Sequence, residues 1–241
     1  MARPKALLSW SSGKDSAWAL HVLRQRGDVE LVGLVTTVNH VHDRVAMHAV
    51  RRTLLEAQAE SAGLPLWIVP IPSPCSNEQY EAAMKQLLER ARGAGVTQMA
   101  FGDLYLEDIR AYRESRLAGT GVEPLFPLWQ LPTEELAQTM VRAGVVAHAT
   151  CVDPRHLPAS FAGRAFDETF LRDLPGGVDP CGENGEFHTF VSAGPMLARS
   201  LAVTVGPTLE RDGFVFCDVD LSAVDRPSAR EQSTDASGTS S

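Results

Sequence analysis

The sequence predicts an α/β protein built on a parallel sheet, and two stretches carry that prediction. Lys5 to Leu20, KALLSWSSGKDSAWAL, reads as a short apolar strand, a turn of small residues and the start of a helix. Val29 to Val38, VELVGLVTTV, is a near-continuous apolar run, as a strand needs when both its faces are covered. A strand, a crossover helix and a second buried strand form a βαβ unit with the two strands parallel.

The remaining elements follow in order. The first helix, Ser16 to Arg26, carries Trp18, Ala19, Val22 and Leu23 at helical spacing and stops at Gly27. Asn39 to Arg44 breaks the strand pattern as a loop. Its His40, His42 and Asp43 have no third ligand at a metal-site spacing and read as solvated. An amphipathic helix runs from Val45 to Ala62 and is closed by Gly63 and Pro65. Leu66 to Ile71 is a third strand, and Pro70 to Pro74 a connector. Ser76 and Gln79 form a capping box for a helix over Asn77 to Arg92. A fourth strand, Val96 to Phe101, runs into Gly102-Asp103. Beyond it come an Arg-rich helix from Asp108 to Leu117, an extended Pro-bounded stretch from Val122 to Trp129 and a helix from Pro132 to Arg142. A strand from Val145 to Cys151, a loop from Asp153 to Pro158 and a helix from Phe161 to Leu174 follow. Leu201 to Val205 and Phe214 to Asp220 read as a hairpin around Arg211-Asp212-Gly213. Ser222 to Ser241 lacks apolar patterning and reads as a disordered tail.

Bulk properties exclude several classes. With 241 residues, 44% hydrophobic and 22% charged, the chain has the composition of a soluble globular protein. No apolar run reaches the ~18 residues of a membrane span, and the first strand begins without a preceding signal-type segment, so a cytoplasmic protein is expected. A net charge of −8 argues against a broad nucleic-acid surface. The cysteines, Cys75, Cys151, Cys181 and Cys217, contain no C-x-x-C pair and read as buried small hydrophobes. Lysine occurs only at Lys5, Lys14 and Lys85 against many arginines, a bias of GC-rich, bacterial genomes.

The chemistry concentrates in two places. Ser11-Ser12-Gly13-Lys14-Asp15-Ser16 joins the first strand to its helix, where small residues let backbone N–H groups converge and the helix N-terminus adds positive potential. It is not a P-loop: Leu8 stands where that motif's first Gly belongs, and Asp15 follows the Lys where a Ser or Thr should be. A carboxylate beside a phosphate fits if both share Mg²⁺, so Asp15 reads as a metal contact. Asp103, at the carboxyl edge of the fourth strand, is a second candidate for Mg²⁺ or substrate, with a turn or cap Asp as the plain alternative. Thr36 and Thr37, at the end of the second strand, are either nucleotide contacts or ordinary β-branched strand residues. Among Arg110, Arg113 and Arg116, one could clamp a pyrophosphate or carboxylate. The second place is Asp179 to Phe190, DPCGENGEFHTF, whose density of carboxylate, amide and imidazole exceeds the need of a connector.

The first motif resembles the PP-loop of N-type ATP pyrophosphatases, with Ser12 where Gly is usual. Adding Met47-His48, Leu54 to Ala59 (LLEAQA), Gly63 to Leu66, Phe101-Gly102-Asp103, Pro127-Leu128-Trp129 and Cys181 to Val191, the chain is similar to the diphthine-ammonia ligase family from Ala6 to about Leu221. The resemblance implies a Rossmann-like sheet of the adenine nucleotide alpha hydrolase type over residues 1–103 and a smaller α+β substrate domain over 104–221, with the tail at 222–241. It implies ATP and Mg²⁺, with Lys14, Asp15 and Asp103 catalytic, Asp15 and Asp103 on the metal, and Ser11 to Ser16, Thr36 and Thr37 on the nucleotide. Substrate contacts fall on His48, Trp129, Glu183, Asn184, Glu186 and His188. The family's reaction adenylates the carboxylate of diphthine, on elongation factor 2, for attack by ammonia. Diphthine's quaternary ammonium would suit Glu183 and Glu186 beside Trp129 or Phe187. In a bacterial source the same chemistry would serve another carboxylate. Other readings are tRNA thiolation, which normally wants a cysteine pair and a basic surface, and an ATP-binding sensor without turnover. A homodimer is the default assembly.

Overall fold

The structure, a computed structural model, describes residues 2–39, 44–45, 50–72 and 74–223. The expected loop residues 40–43, the candidate His48 and the tail from residue 224 lie outside the described residues.

The first half alternates strand and helix: β1 (Lys5–Ser9), α1 (Lys14–Arg26), β2 (Glu30–Asn39), the two-residue β3 (Arg44–Val45), α2 (Arg52–Ala62), β4 (Leu66–Ile71), α3 (Asn77–Gly93), β5 (Val96–Ala100), α4 (Glu107–Leu117) and β6 (Glu123–Leu125). Among the described residues these build a six-stranded sheet in the lateral order β4, β2, β1, β5, β6, with β3 turned back on the end of β2. The β1–β2, β1–β5, β2–β4 and β5–β6 pairings are parallel, a Rossmann-like arrangement. The sheet runs past Asp103 to take in β6.

The second half supplies α5 (Thr133–Arg142), β7 (Val146–Val152), a 3₁₀ turn (Ala159–Phe161), α6 (Glu168–Arg172), β8 (Phe187–Ala193), β9 (Val203–Arg211) and β10 (Phe214–Leu221). Its four strands form an antiparallel sheet in the order β8, β7, β10, β9. The β9–β10 hairpin turns through Asp212 and Gly213, both at positive φ (53° and 79°), as a tight two-residue turn requires.

Two expected helices are shorter than the sequence suggests. The helix predicted from Val45 begins at Arg52 instead, because Arg44–Val45 pairs with β2 and Arg51 is extended. The helix predicted over Phe161 to Leu174 is reduced to α6. Gly163 takes φ +83°, Ala165 bridges to His148, and the Asp167 carboxylate then starts α6 by accepting the Phe170 N–H at 2.8 Å. Three phenylalanines at near-helical spacing, Phe161, Phe166 and Phe170, bury from this broken segment as well as they would from a helix.

One buried apolar cluster joins the halves: Leu8, Trp10, Ala17 and Leu20 share it with Phe187, Phe190 and Val191 of β8. The second sheet therefore covers the α1 and α2 side of the first, and a smaller core under α3 and α4 closes the other side. Among the described residues no helix is long and apolar enough to cross a membrane.

This architecture decides where chemistry can occur. The strand order reverses between β1 and β5, and in an open parallel sheet the crevice at such a switch lies beyond the carboxyl ends of those strands. Ser11 to Ser16 follows β1 and Gly102-Asp103 follows β5. The two segments touch: a Cβ at Gly102 would stand 2.9 Å from the Asp15 carbonyl carbon and 3.0 Å from the Ser16 nitrogen. Backbone atoms cannot swing aside as a flexible side chain can, so Gly102→Ala should push the loop from the strand and lower stability by about 1–3 kcal/mol in urea unfolding. A variant as stable as the parent would show that the approach is looser than described.

Candidate functional site

The loop is knitted by its own hydroxyls. Ser16 Oγ donates to the Gly13 carbonyl at 3.0 Å, shares a hydrogen bond with Ser11 Oγ at 3.1 Å, and the Gly13 N–H donates to Ser11 Oγ at 3.3 Å. Gly13, the residue before α1, provides no side-chain cap, and the Lys14 N–H is taken by Thr189 Oγ1 of β8 at 3.1 Å. Ser12 sits at φ +71°, the left-handed region that favours Gly, which explains why Gly is usual there. Its hydroxyl is buried with no hydrogen-bond partner among the described residues.

Lys14 is 1% exposed. Its ammonium meets Asp15 Oδ2 at 2.9 Å and the Cys181 carbonyl, and lies 5.1 and 5.7 Å from the ring centres of Phe187 and Phe166. Burial works against the charge, but the Asp15 carboxylate, with Asp179 behind it, outweighs that cost and raises the pKa above the ordinary lysine value. The other oxygen of Asp15, Oδ1, is buried without a hydrogen-bond partner among the described residues.

The loop from Asp179 to Glu186 is held mainly by its own carboxylates. Asp179 accepts the Cys181 and Glu183 N–H groups and the Thr133 hydroxyl, at 2.9, 3.2 and 2.6 Å. Glu186, buried, accepts the Asp179 N–H at 3.1 Å and both the N–H and the side-chain amide of Asn184 at 3.0 Å. Glu183 reaches outward instead, accepting the Leu104 and Tyr105 N–H groups at 2.7 and 3.3 Å and so clipping the loop to the segment after Asp103. Burial, with Asp15 and Asp103 nearby, raises its pKa to about 7. His188, half-buried in β8, is pushed down to about 4 by desolvation and by the nearby Lys14 charge.

The structure thus brings Ser11 to Ser16, Asp103, Glu183 and His188 close to one another beyond the carboxyl ends of β1 and β5. The expected carboxylate and aromatic cage does not form. Glu186 is spent inside its own loop, Phe187 is in the core, and Trp129 carries Arg110 at 4.7 Å from its ring centre. Thr36 is buried in β2 and Thr37 is half-buried beside it. Asp103 is bonded by Arg113 at 3.4 Å, and burial raises its pKa. Cys151 and Cys181 are buried thiols, that of Cys151 pushed up to about 12 and that of Cys181 higher still, so neither is a ready nucleophile.

Mg²⁺ fits this donor set. Among the described residues no group of three or more His, Cys, Asp or Glu is placed to hold a metal. Mg²⁺ at nucleotide sites, however, is held by one or two carboxylates and the phosphates themselves, and Asp15 Oδ1 has no hydrogen-bond partner among the described residues. A cavity of about 590 Å³ lies elsewhere, between α3 and α4, and Arg113, which lines it, also bonds Asp103.

Sequence reasoning missed Gln58, Thr189, the Cys181 carbonyl and Asp179. Gln58 left a signal, a polar residue on the same helical face as Leu54 and Leu55. Thr189 Oγ1, the Asp179 carboxylate and the Cys181 carbonyl meet partners that the fold brings to them, which no local pattern announces.

Comparison with known proteins agrees with this layout. The diphthamide synthase N-terminal domain matches residues 4–123, and the diphthamide synthase C-terminal domain matches residues 132–221. The chain is similar to the diphthine–ammonia ligase of Bos taurus, 25% identical over 230 residues, and to that of Homo sapiens, 26% identical over 234 residues. Each comparison covers 87% of this chain and 86% of the relative.

The Glu183 shift has a measurable sign. Its pKa of about 7 in the folded chain lies above the ordinary 4.5, so the folded state holds the proton more tightly and stability falls as pH rises from 4.5 to 7. Glu183→Gln, which can accept the same N–H groups, should flatten that slope and gain about 1–2 kcal/mol over the parent at pH 8, the shift being discounted for partial exposure. Urea midpoints across pH would measure it; parallel profiles for the two proteins would place the ionisation elsewhere.

Proposed function

Because the chain belongs to the diphthamide synthase family, we propose that it is an ATP-dependent ligase that adenylates a substrate carboxylate and releases it as an amide after attack by ammonia. The observation that carries this reading is the loop at the sheet's switch point, where a cationic Lys14, the free Asp15 oxygen and a helix N-terminus adjoin. In this reading ATP would lay its phosphates against Ser11 to Ser16, with Thr36 and Thr37, near the carboxyl end of β2, as the contacts for the nucleoside. Mg²⁺, held by Asp15 and Asp103 with phosphate oxygens, would neutralise charge on the triphosphate.

The chemistry asks mainly for positioning. The acceptor carboxylate oxygen attacks the α-phosphorus and pyrophosphate leaves; ammonia then attacks the acyl carbon, AMP leaves with the bonding electrons, and the surplus protons pass to solvent or a basic group. Lys14 and the N–H groups of the loop stabilise charge on the phosphates, and the second sheet, seated over the loop, keeps water from the acyl adenylate. The relatives' name specifies diphthine as their acceptor, and a carboxylate of that kind is the acceptor class proposed here. The raised thiol pKa values of Cys151 and Cys181 weigh against thiolation.

Purified protein with ATP and Mg²⁺ should release pyrophosphate and AMP when ammonium and an acceptor are supplied, with diphthine-bearing elongation factor 2 and a panel of small carboxylic acids as the trial acceptors. Lys14→Ala should lower kcat/KM at least about 100-fold. ATP that binds but yields no pyrophosphate with any acceptor would favour a nucleotide sensor, and equal release by the Lys14→Ala protein would overturn the assignment.

A further inference from the structure

Gln58 lies on α2, is 0% exposed, and has its side chain committed to three partners in two other segments, the β1–α1 loop and β8. Its Oε1 accepts the Trp10 indole N–H at 3.0 Å, and its Nε2 donates to the carbonyls of Ser12 at 3.1 Å and Val191 at 2.6 Å. The orientation of the amide is fixed by its partners, since an indole N–H can only donate and two carbonyls can only accept. Ser12 O also accepts the Val191 N–H at 3.0 Å. The Ser12 carbonyl is therefore gripped from α2 and from β8 together.

That grip acts on the phosphate loop through the peptide bond. A trans peptide is planar, with its C=O and N–H pointing in opposite directions. Holding the Ser12 carbonyl toward Gln58 and Val191 turns the Gly13 N–H the other way, into the loop, where it meets Ser11 Oγ at 3.3 Å. The conformation needs holding, because Ser12 at φ +71° is in a region that costs a non-glycine residue of order 1 kcal/mol, and its hydroxyl recovers nothing by hydrogen bonding among the described residues. We propose that Gln58 is a positioning residue for nucleotide binding: it fixes the Ser12–Gly13 peptide so that the Gly13 N–H faces the phosphates. The assignment rests on the reading of Ser11 to Ser16 as an ATP phosphate site, and it makes that site a joint product of α2 and the second sheet.

The test is ATP affinity, measured by calorimetry with Mg²⁺ on protein shown by circular dichroism to be folded. Gln58→Met keeps the volume and removes both donors; its affinity should fall about tenfold or more. Adding Ser12→Gly, which adopts positive φ without strain, should recover at least about threefold of that loss, because Gly needs less holding. A role in packing alone predicts a lower Tm with ATP affinity within about twofold of the parent and no recovery by Ser12→Gly, and either result overturns the proposal. Should Gln58→Met fail to fold, Gln58→Glu carries the test. Its protonated form keeps one donor and its ionised form none, so its ATP affinity relative to the parent should fall about tenfold as pH rises; a pH-independent ratio near one overturns the proposal. A parent protein that binds ATP without releasing pyrophosphate would overturn the ligase reading and leave the role of Gln58 standing. A parent that binds no ATP would overturn both.

Discussion

A lysine ammonium inside a protein is tolerable only where something replaces the water it has lost, and much of this molecule is arranged around that requirement at Lys14. The replacement comes from opposite ends of the chain. Asp15 supplies the countercharge from the adjacent position, while the Cys181 carbonyl and the faces of Phe187 and Phe166 arrive from the second half. Getting them there constrains the backbone. Gly182, at φ +67°, leaves no room for a side chain, since a Cβ would stand 2.8 Å from the Phe187 carbonyl oxygen. The internal hydrogen bonds of Asp179 and Glu186 then keep the turn closed, so that the carbonyl presented to Lys14 does not wander.

The loop from Ser11 to Ser16 belongs to neither half alone. Its entry is set by β1, its exit by α1 and its close neighbour by Gly102 just after β5, all within the first half of the chain. Its carbonyl and N–H directions are set by Val191 and Thr189 of β8, through the Val191 N–H to Ser12 O and Lys14 N–H to Thr189 Oγ1 bonds. Two sheets of different kinds, one parallel and one antiparallel, thus meet at main-chain atoms as well as through their shared apolar core. Glu183 adds a third tie, from the second half to the N–H groups that follow Asp103.

What was legible in the sequence is what short-range physics controls. The apolar run of β2, the capping box at Ser76 and Gln79 and the hairpin turn at Asp212-Gly213 each depend on residues within a few positions and each forms where read, although the strand leading into that turn, β9, runs from Val203 to Arg211 and so extends well past the expected Val205. The segment after Phe161 misleads because three buried aromatics at near-helical spacing satisfy burial equally well from a broken chain, and Gly163 decides the matter. The polar turn around Glu186 misleads for another reason. A dense set of carboxylates can bind a ligand or satisfy the turn's own N–H groups, and composition does not distinguish the two: Glu183 turns outward and Glu186 inward. Gln58 is the converse case, one polar residue on an apolar helical face, whose meaning depends on where Ser12 and Val191 come to lie.

A loop built by two halves has a thermodynamic consequence. If nucleotide binding tightens the peptide geometry that β8 and α2 impose, then binding must stabilise the docking of the second sheet by the same free energy with which that docking favours binding. No moving part is needed for this, only that the Val191, Thr189 and Gln58 contacts be stronger when the loop is in its binding form. The acceptor side lies within the same linkage. Glu183 ties the polar turn to the strand end that carries Asp103, so a substrate engaging that turn would act on the Asp103 segment through one carboxylate and two backbone N–H groups. An adenylating enzyme gains from such coupling, since an activated carboxylate formed before the second sheet is seated would be lost to water.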